Sequence, residues 1–338
     1  NDKTKYYTSF SYTKEQGRVY VNNFDRFAGR INLQQRVNKY IDVTTNASVS
    51  KTSKSGYNDT RSMSDNYFMQ TRNLLWGTYW PDDYKTGLPW TDRYQSLAQN
   101  LLYYNDYQNN WSKTFKVTIN ETVNVNLTEW LNVKSIFSYD RTETKDHLYY
   151  SPIHFKGAND NGSVTDMSTL YEKTVSSTTV NFNKSFGKHN VSVLAGIEAE
   201  RNKTSYTRAS GTNFPSSSLE TVSVAGKLDA AGYWWGHNMV SVLSRAEYNY
   251  DNKYYISGSY RRDGSSRLGE DSRWGNFWSV AGSWRISNEK FMESVTWVNK
   301  LKLRGTIGKT GNGITNSGYY DFRQTYSDNG AGYYRYSM

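Results

Sequence analysis

The sequence predicts an all-β fold, an antiparallel transmembrane β-barrel, and three observations carry that expectation. Apolar and polar residues alternate with a period of two along many runs. Short and long connections between those runs alternate strictly. The composition combines a low apolar share with an aromatic excess, as expected where only alternate residues meet lipid.

The first hairpin takes Gly29, Ile31, Leu33 and Val37 through Asn38-Lys39-Tyr40 into Ile41, Val43, Ala47 and Val49. The clearest alternation follows. Phe115, Val117, Ile119, Val123, Val125 and Leu127 share one face, and Lys116, Thr118, Asn120, Thr122, Asn124 and Asn126 the other. Glu121 is the one break on the apolar face. A helix would scatter these residues around its circumference, whereas a strand sorts them. Thr128-Glu129-Trp130 turns this run into Leu131, Val133, Phe137 and Tyr139. Val180, Phe182 and Phe186 turn at Gly187-Lys188-His189 into Val191, Val193, Ala195, Ile197 and Ala199. Val240, Val242, Ala246, Tyr248 and Tyr250 turn at Asp251-Asn252-Lys253 into Tyr254, Ile256 and Tyr260. Trp278, Val280, Trp284 and Ile286 reach Leu301, Leu303 and Ile307 through a longer link with a helical turn over 288–292. That makes ten strands, with an eleventh expected near 318–328.

Between the hairpins lie long links, at about 53–112, 148–172, 208–237 and 263–274, expected to be extracellular loops by the asymmetry of such barrels. Tyr40, Trp130, Phe186, Tyr250 and Tyr254 flank the short turns, where an interfacial aromatic girdle belongs. Many runs reach about 12–16 residues, against about 5–6 in soluble sheets, which disfavours a soluble sandwich or jelly roll.

Of 338 residues, 36% are hydrophobic, and the mean hydropathy is −0.83. No apolar run is long enough for a transmembrane helix. Yet 30 Tyr, 11 Trp and 13 Phe are too many for a disordered chain. Cysteine is absent, which removes disulfides and thiolate metal sites. The net charge of +10 is dispersed, often at alternate strand positions, so nucleic-acid binding is not expected. A cationic lumen or a surface facing acidic lipid headgroups suits it better. Asn1 opens in polar, strand-like text without a signal peptide, as in a processed or truncated start.

Residues 261–312 carry a set of motifs in order. Arg261-Arg262-Asp263-Gly264-Ser265-Ser266-Arg267-Leu268-Gly269 precedes Arg273-Trp274-Gly275-Asn276-Phe277. Ser283-Trp284-Arg285-Ile286-Ser287-Asn288-Glu289-Lys290-Phe291 follows, then Leu301-Lys302-Leu303-Arg304-Gly305 and Gly308-Lys309-Thr310-Gly311-Asn312. In order and spacing this resembles the barrel signature of SusC/RagA-type TonB-dependent outer-membrane transporters, and Gly29-Arg30-Ile31-Asn32-Leu33 resembles an earlier strand of the same family. Leu268 stands where the family usually has Phe, and Phe277-Trp278 where it has Phe-Pro; both keep an apolar residue. The resemblance implies the central part of a barrel of about 22 strands around a plugged lumen, the plug lying outside this chain. It further implies import of a nutrient oligomer, glycan or peptide, with a SusD-like lipoprotein as lid. Energy would come from the TonB-ExbB-ExbD complex acting through the plug, and outer-membrane lipid would surround the barrel. A passive porin or a surface adhesin barrel is the alternative.

No catalytic centre, cofactor or metal site is expected. His147, His154, His189 and His237 are scattered, without metal-ligand spacing. Asp82-Asp83 reads as a solvated acidic turn. The glycines from Gly308 to Gly313 lack phosphate-loop order. Asp263-Gly264-Ser265-Ser266-Arg267 reads first as a turn at a strand end, with Arg261, Arg267 and Arg273 around it for pairing with carboxylates or substrate. Of the signature residues, Arg262, Asp263, Gly264, Ser265, Arg267, Trp274, Gly275, Gly311 and Asn312 are singled out on the resemblance. Aromatics with polar neighbours suit glycans or peptides. Trp76, Tyr79, Trp80, Trp90, Trp111, Tyr149, Trp234 and Trp235 are therefore the candidate substrate contacts, expected in extracellular loops; packing within the loop or a girdle role is the competing reading for each.

Overall fold

The computed structural model describes residues 3–18, 21–56, 86, 101–311, 326–328 and 334–336. Eleven strands form one antiparallel sheet, each paired with its neighbours in the chain. They are β1 (Thr4–Gln16), β2 (Asn23–Arg36), β3 (Ile41–Ser55), β4 (Gln108–Asn126), β5 (Leu131–Tyr150) and β6 (Ser163–Phe186), followed by β7 (His189–Thr212), β8 (Lys227–Tyr250), β9 (Tyr254–Ser265), β10 (Trp274–Arg285) and β11 (Lys302–Lys309). The eleventh strand of the sheet is β1, not a segment near 318–328. Within that segment only 326–328 is described; it forms β12 (Tyr326–Asp328), which pairs with β13 (Tyr334–Tyr336) in a separate two-stranded sheet.

The register joins the predicted apolar runs into one face. Val125 stands opposite Ile41 on β3 and Val133 on β5, and Val133 opposite Val180 on β6. Val180 meets Ala195, and two residues along β7 Ile197 meets Val242 on β8. Directly opposed residues share a face, so a one-residue slip would turn the whole band inward, and the apolar pattern therefore holds the register. Glu121 interrupts the band between Thr45 and Phe137. Within the apolar band the side chains are largely uncovered by the described residues: Phe10 is 90% and Ile307 68% exposed. Lipid is the solvent that such a surface fits.

The turns obey local chemistry. The Asn38 side chain accepts the backbone N–H groups of Tyr40 and Ile41 at 2.8 and 3.0 Å, closing the β2–β3 turn. Asp251 and Asn252 both take positive φ, 52° and 53°, the mirror-image turn that matches strand twist and that Asn and Asp tolerate.

The long links are shorter than expected. β6, β7 and β8 each run 24 residues. The expected loops at 148–172, 208–237 and 263–274 therefore shrink to 151–162, 213–226 and 266–273. A transmembrane strand needs about 9–11 residues. The remainder continues past the membrane, where both faces become polar; the alternation fades there while the backbone ladder goes on. At that end sits the one buried apolar cluster among the described residues, Tyr149, Val164 and Phe214, packed by Val222, Val224 and Ala225 of the 213–226 link.

Candidate functional site: the polar face

The face opposite the apolar band carries the charge. Register places Lys116, Asp140, Lys173, Glu200, His237 and Arg261 there, spread over six adjacent strands, β4 to β9. Lys116 Nζ lies 3.6 Å from Asp140 Oδ2. Lys173 Nζ is 3.0 Å from Glu200 Oε2, whose other oxygen faces His237 Nε2 at 3.7 Å. Arg261 donates to Glu198 Oε1 at 3.0 Å, to Asp263 Oδ1 at 2.6 Å and to Ser241 Oγ at 2.9 Å. Ser241 is only 1% exposed, so its hydroxyl is held by the guanidinium rather than by water. Charges that would be costly toward lipid are thus paired on the face that can hold water.

Toward the long links the same face turns aromatic. Trp235 stacks on Tyr233 with ring centroids 5.4 Å apart, and Tyr233 lies 4.9 Å from Tyr206. At the top of β5, His154 is 2% exposed among Tyr104, Tyr150 and Phe155. A cleft of about 630 Å³ opens beside β1 to β5, lined in part by Glu15, Lys54, Asn110, Asp146 and Leu148. Its size lies within the range of small-ligand sites.

The candidate substrate contacts do not form one cluster. Trp111, Tyr149, Trp234 and Trp235 lie in strands, not in loops, because the ladder outlasts the hydrophobic alternation. Trp235 is on the polar face. Trp234, its neighbour, points the other way and is 63% exposed. Trp111 stacks on His147 at 5.3 Å under Lys113, on the apolar-face side. Tyr149 is sealed into the cluster with Phe214, its hydroxyl donating to the Ser217 carbonyl at 2.8 Å. Trp76, Tyr79, Trp80 and Trp90 lie outside the described residues. Sequence reasoning missed Glu198, Glu200, Lys173 and Ser241, whose only signal is their place on the polar phase of long strands.

The signature residues have structural partners. Arg262 lies over the Trp274 ring at 5.0 Å. Ser265 donates its backbone N–H to the Arg273 carbonyl at 3.0 Å, and its hydroxyl accepts the Arg267 N–H at 3.3 Å. A Cβ on Gly264 would sit 2.7 Å from the Trp274 ring, and one on Gly311 would sit 2.1 Å from the Phe277 ring. Gly275 likewise faces Phe277. Asn312 lies outside the described residues.

At the short-turn end, Glu289 receives the Trp284 indole N–H at 3.0 Å and the Lys253 ammonium at 3.3 Å. The Tyr254 hydroxyl, followed by these two donors, holds the Glu289 carboxyl below the usual carboxylate range. Tyr254 in turn stacks on Trp284 and Tyr250, a ladder of rings at the expected girdle.

A meandering antiparallel sheet with one lipid-suited face and one charged, water-suited face is the wall of an outer-membrane-type β-barrel. No protein-family model matches the chain. The TonB-dependent receptor P39 of Formosa agariphila is 29% identical over 321 residues, 92% of this chain and 30% of that protein. P26 of the same organism is 24% identical, over 92% of this chain and 32% of its own length. SusC of Bacteroides thetaiotaomicron, also a TonB-dependent receptor, is 39% identical over 83 residues, covering 25% of this chain and 8% of SusC. The solved RagAB peptide transporter has the same fold, with a TM-score of 0.82 and 23% identity over 99% of this chain and 38% of that one. The resemblance first visible in 261–312 therefore extends along the chain: its sequence is similar to TonB-dependent receptors over most of its length, and its fold is that of the RagAB transporter's barrel. The chain spans about a third of the length of the curated relatives it matches. Those relatives are named as receptors.

Proposed function

We propose that this chain forms the central wall of a barrel of about 22 strands that imports a nutrient oligomer, glycan or peptide, across the outer membrane. The observation that carries this reading is the likeness to TonB-dependent receptors over 92% of the chain. The RagAB complex of the same fold is named a peptide transporter, which supports a substrate of that size class. The polar face serves as the lumen wall, its paired charges meeting the plug or the passing substrate, and the aromatic top, Tyr206, Tyr233 and Trp235, contributes to binding. A SusD-like lipoprotein covers the extracellular mouth, and the TonB-ExbB-ExbD complex supplies energy through a plug. The wall performs no covalent chemistry. It binds, is covered, and opens as the plug moves.

Both margins of the sheet support a larger barrel. Among the described residues β1 pairs only with β2 and β11 only with β10. Open strand edges in lipid cost several kcal/mol for each unsatisfied group. Further strands closing the ring remove that cost.

The test is affinity purification of the complete receptor from native membrane, with uptake measured in cells with and without TonB. A co-purifying surface lipoprotein and TonB-dependent uptake are expected. Recovery without such a partner, together with uptake indifferent to TonB, would sink the importer reading.

A further inference from the structure

The outward, apolar face ends differently at its two margins. At the short turns it ends in rings. At the long-link margin cations outnumber acids. Following each strand outward past the apolar band, the first charged residue on that face is Lys51 on β3, Lys113 on β4 and Arg141 on β5. It is Arg201 on β7 and Arg262 on β9, with Asp25 on β2 and Glu172 on β6 as exceptions and no charge on that face of β8 or β10. Register puts all of them on the face of Val117, Ile119, Ile197 and Val242. A second cation stands beyond the first on two strands, Lys145 on β5 and Lys203 on β7.

These cations are incompletely neutralised. Arg141 and Lys145 share one carboxylate, Glu143, at 3.2 and 3.3 Å. Glu172 accepts from the Tyr139 hydroxyl at 3.0 Å. Among the described residues, Lys51, Lys113, Arg201 and Lys203 have no carboxylate at ion-pair distance. Lys113 also stands directly opposite Lys145 in the β4–β5 register, and like charges so placed destabilise a sheet. A bridging anion would reverse the sign of that contact. The geometry is that of a cationic collar directly above an apolar band, where a lipid's chains and headgroup would lie together.

We propose that this collar binds the phosphorylated glycolipid of the outer leaflet, its acyl chains along the apolar band and its phosphates between Lys113, Lys145, Arg141 and Arg201. The site lies on the outside of the wall, away from the polar face. It rests on the outer-membrane reading above but requires neither the lipoprotein nor TonB.

The test uses the complete receptor, extracted in mild detergent, exchanged into nanodiscs and supplied with bisphosphorylated lipid A or its dephosphorylated counterpart. Retained lipid is counted by native mass spectrometry. Bound bisphosphorylated lipid is expected to outlast the dephosphorylated form. The K113Q/K145Q double variant should lower its retention by roughly tenfold or more, since each cation near an anionic headgroup adds substantially to binding. A second variant, R201Q, covers the case in which the first misfolds. Equal retention of both lipids, or retention unchanged in correctly folded variants, overturns the proposal. So does complete displacement by millimolar inorganic phosphate, which would mark a site for the free anion. TonB-dependent uptake, measured in parallel, separates the two readings. Uptake without retention ends the lipid site alone, and retention without uptake ends the importer alone.

Discussion

The Trp284 indole N–H donates a 3.0 Å hydrogen bond to Oε1 of Glu289, tying the end of β10 to the link that follows it. The same carboxylate accepts from Tyr254 and Lys253, so one largely covered acid gathers β9, β10 and the 286–301 link at the short-turn margin. Both residues lie in the Ser-Trp-Arg-Ile-Ser-Asn-Glu stretch that carries the family resemblance. That motif is explained here as an anchor, without any substrate.

A pH dependence follows from this anchor. Donors lower the Glu289 pKa in the folded protein, so its contribution is fully present above the ordinary Glu value and is lost as pH falls through the lowered one. Thermal unfolding from pH 7 down to pH 3 should show Glu289→Gln less stable than the parent at pH 7. The two should converge at the acid end. A constant gap across the range would contradict the linkage.

Arg261 holds two carboxylates and a buried hydroxyl at once. Its side chain is about a third exposed, so screening limits the loss in Arg261→Ala to about 1 kcal/mol. Arg261→Lys keeps the charge but not the planar fork, and should recover less than half of that loss. Denaturant midpoints of the three proteins check the order.

Tyr149 tests the packing of the 213–226 link. Tyr149→Phe leaves the ring against Phe214 and removes only the bond to the Ser217 carbonyl. The expected cost is about 1 kcal/mol. It should be confined to the link, and limited proteolysis between 213 and 226 should quicken severalfold while the barrel's melting point hardly moves.

Gly264 stands against the Trp274 ring, and a Cβ there would meet it at 2.7 Å. Gly264→Ala should cost about 1–3 kcal/mol by overpacking. The ring is at a strand end and half exposed, which favours the low side. Adding Trp274→Leu should return most of the loss, which a double-mutant cycle measures. Simple additivity would place the cost elsewhere.

The strands were legible wherever one face met lipid. Phe115 to Leu127 sort by parity because hydrocarbon admits no alternative, and β2 to β11 were found on that basis. β1 carries a weak sequence signal, because Thr4–Gln16 has only Tyr6, Phe10 and Tyr12 as apolar markers amid polar residues on the same face. The 24-residue lengths were not legible, since past the membrane water solvates both faces and the period-two signal stops while backbone pairing continues. For the same reason Trp111, Tyr149, Trp234 and Trp235 were expected in loops and stand in strands.

By itself the sequence determined the barrel fold, its hairpins from β2 to β11 and its short-turn margin, because each depends on local alternation and turn chemistry. Tertiary structure alone decided which charges meet. Glu198 and Arg261, or Lys113 and Lys145, lie far apart in the chain and come together only through the register of the strands that carry them. Periodicity says which face a residue takes. Only the assembled sheet says who stands beside it.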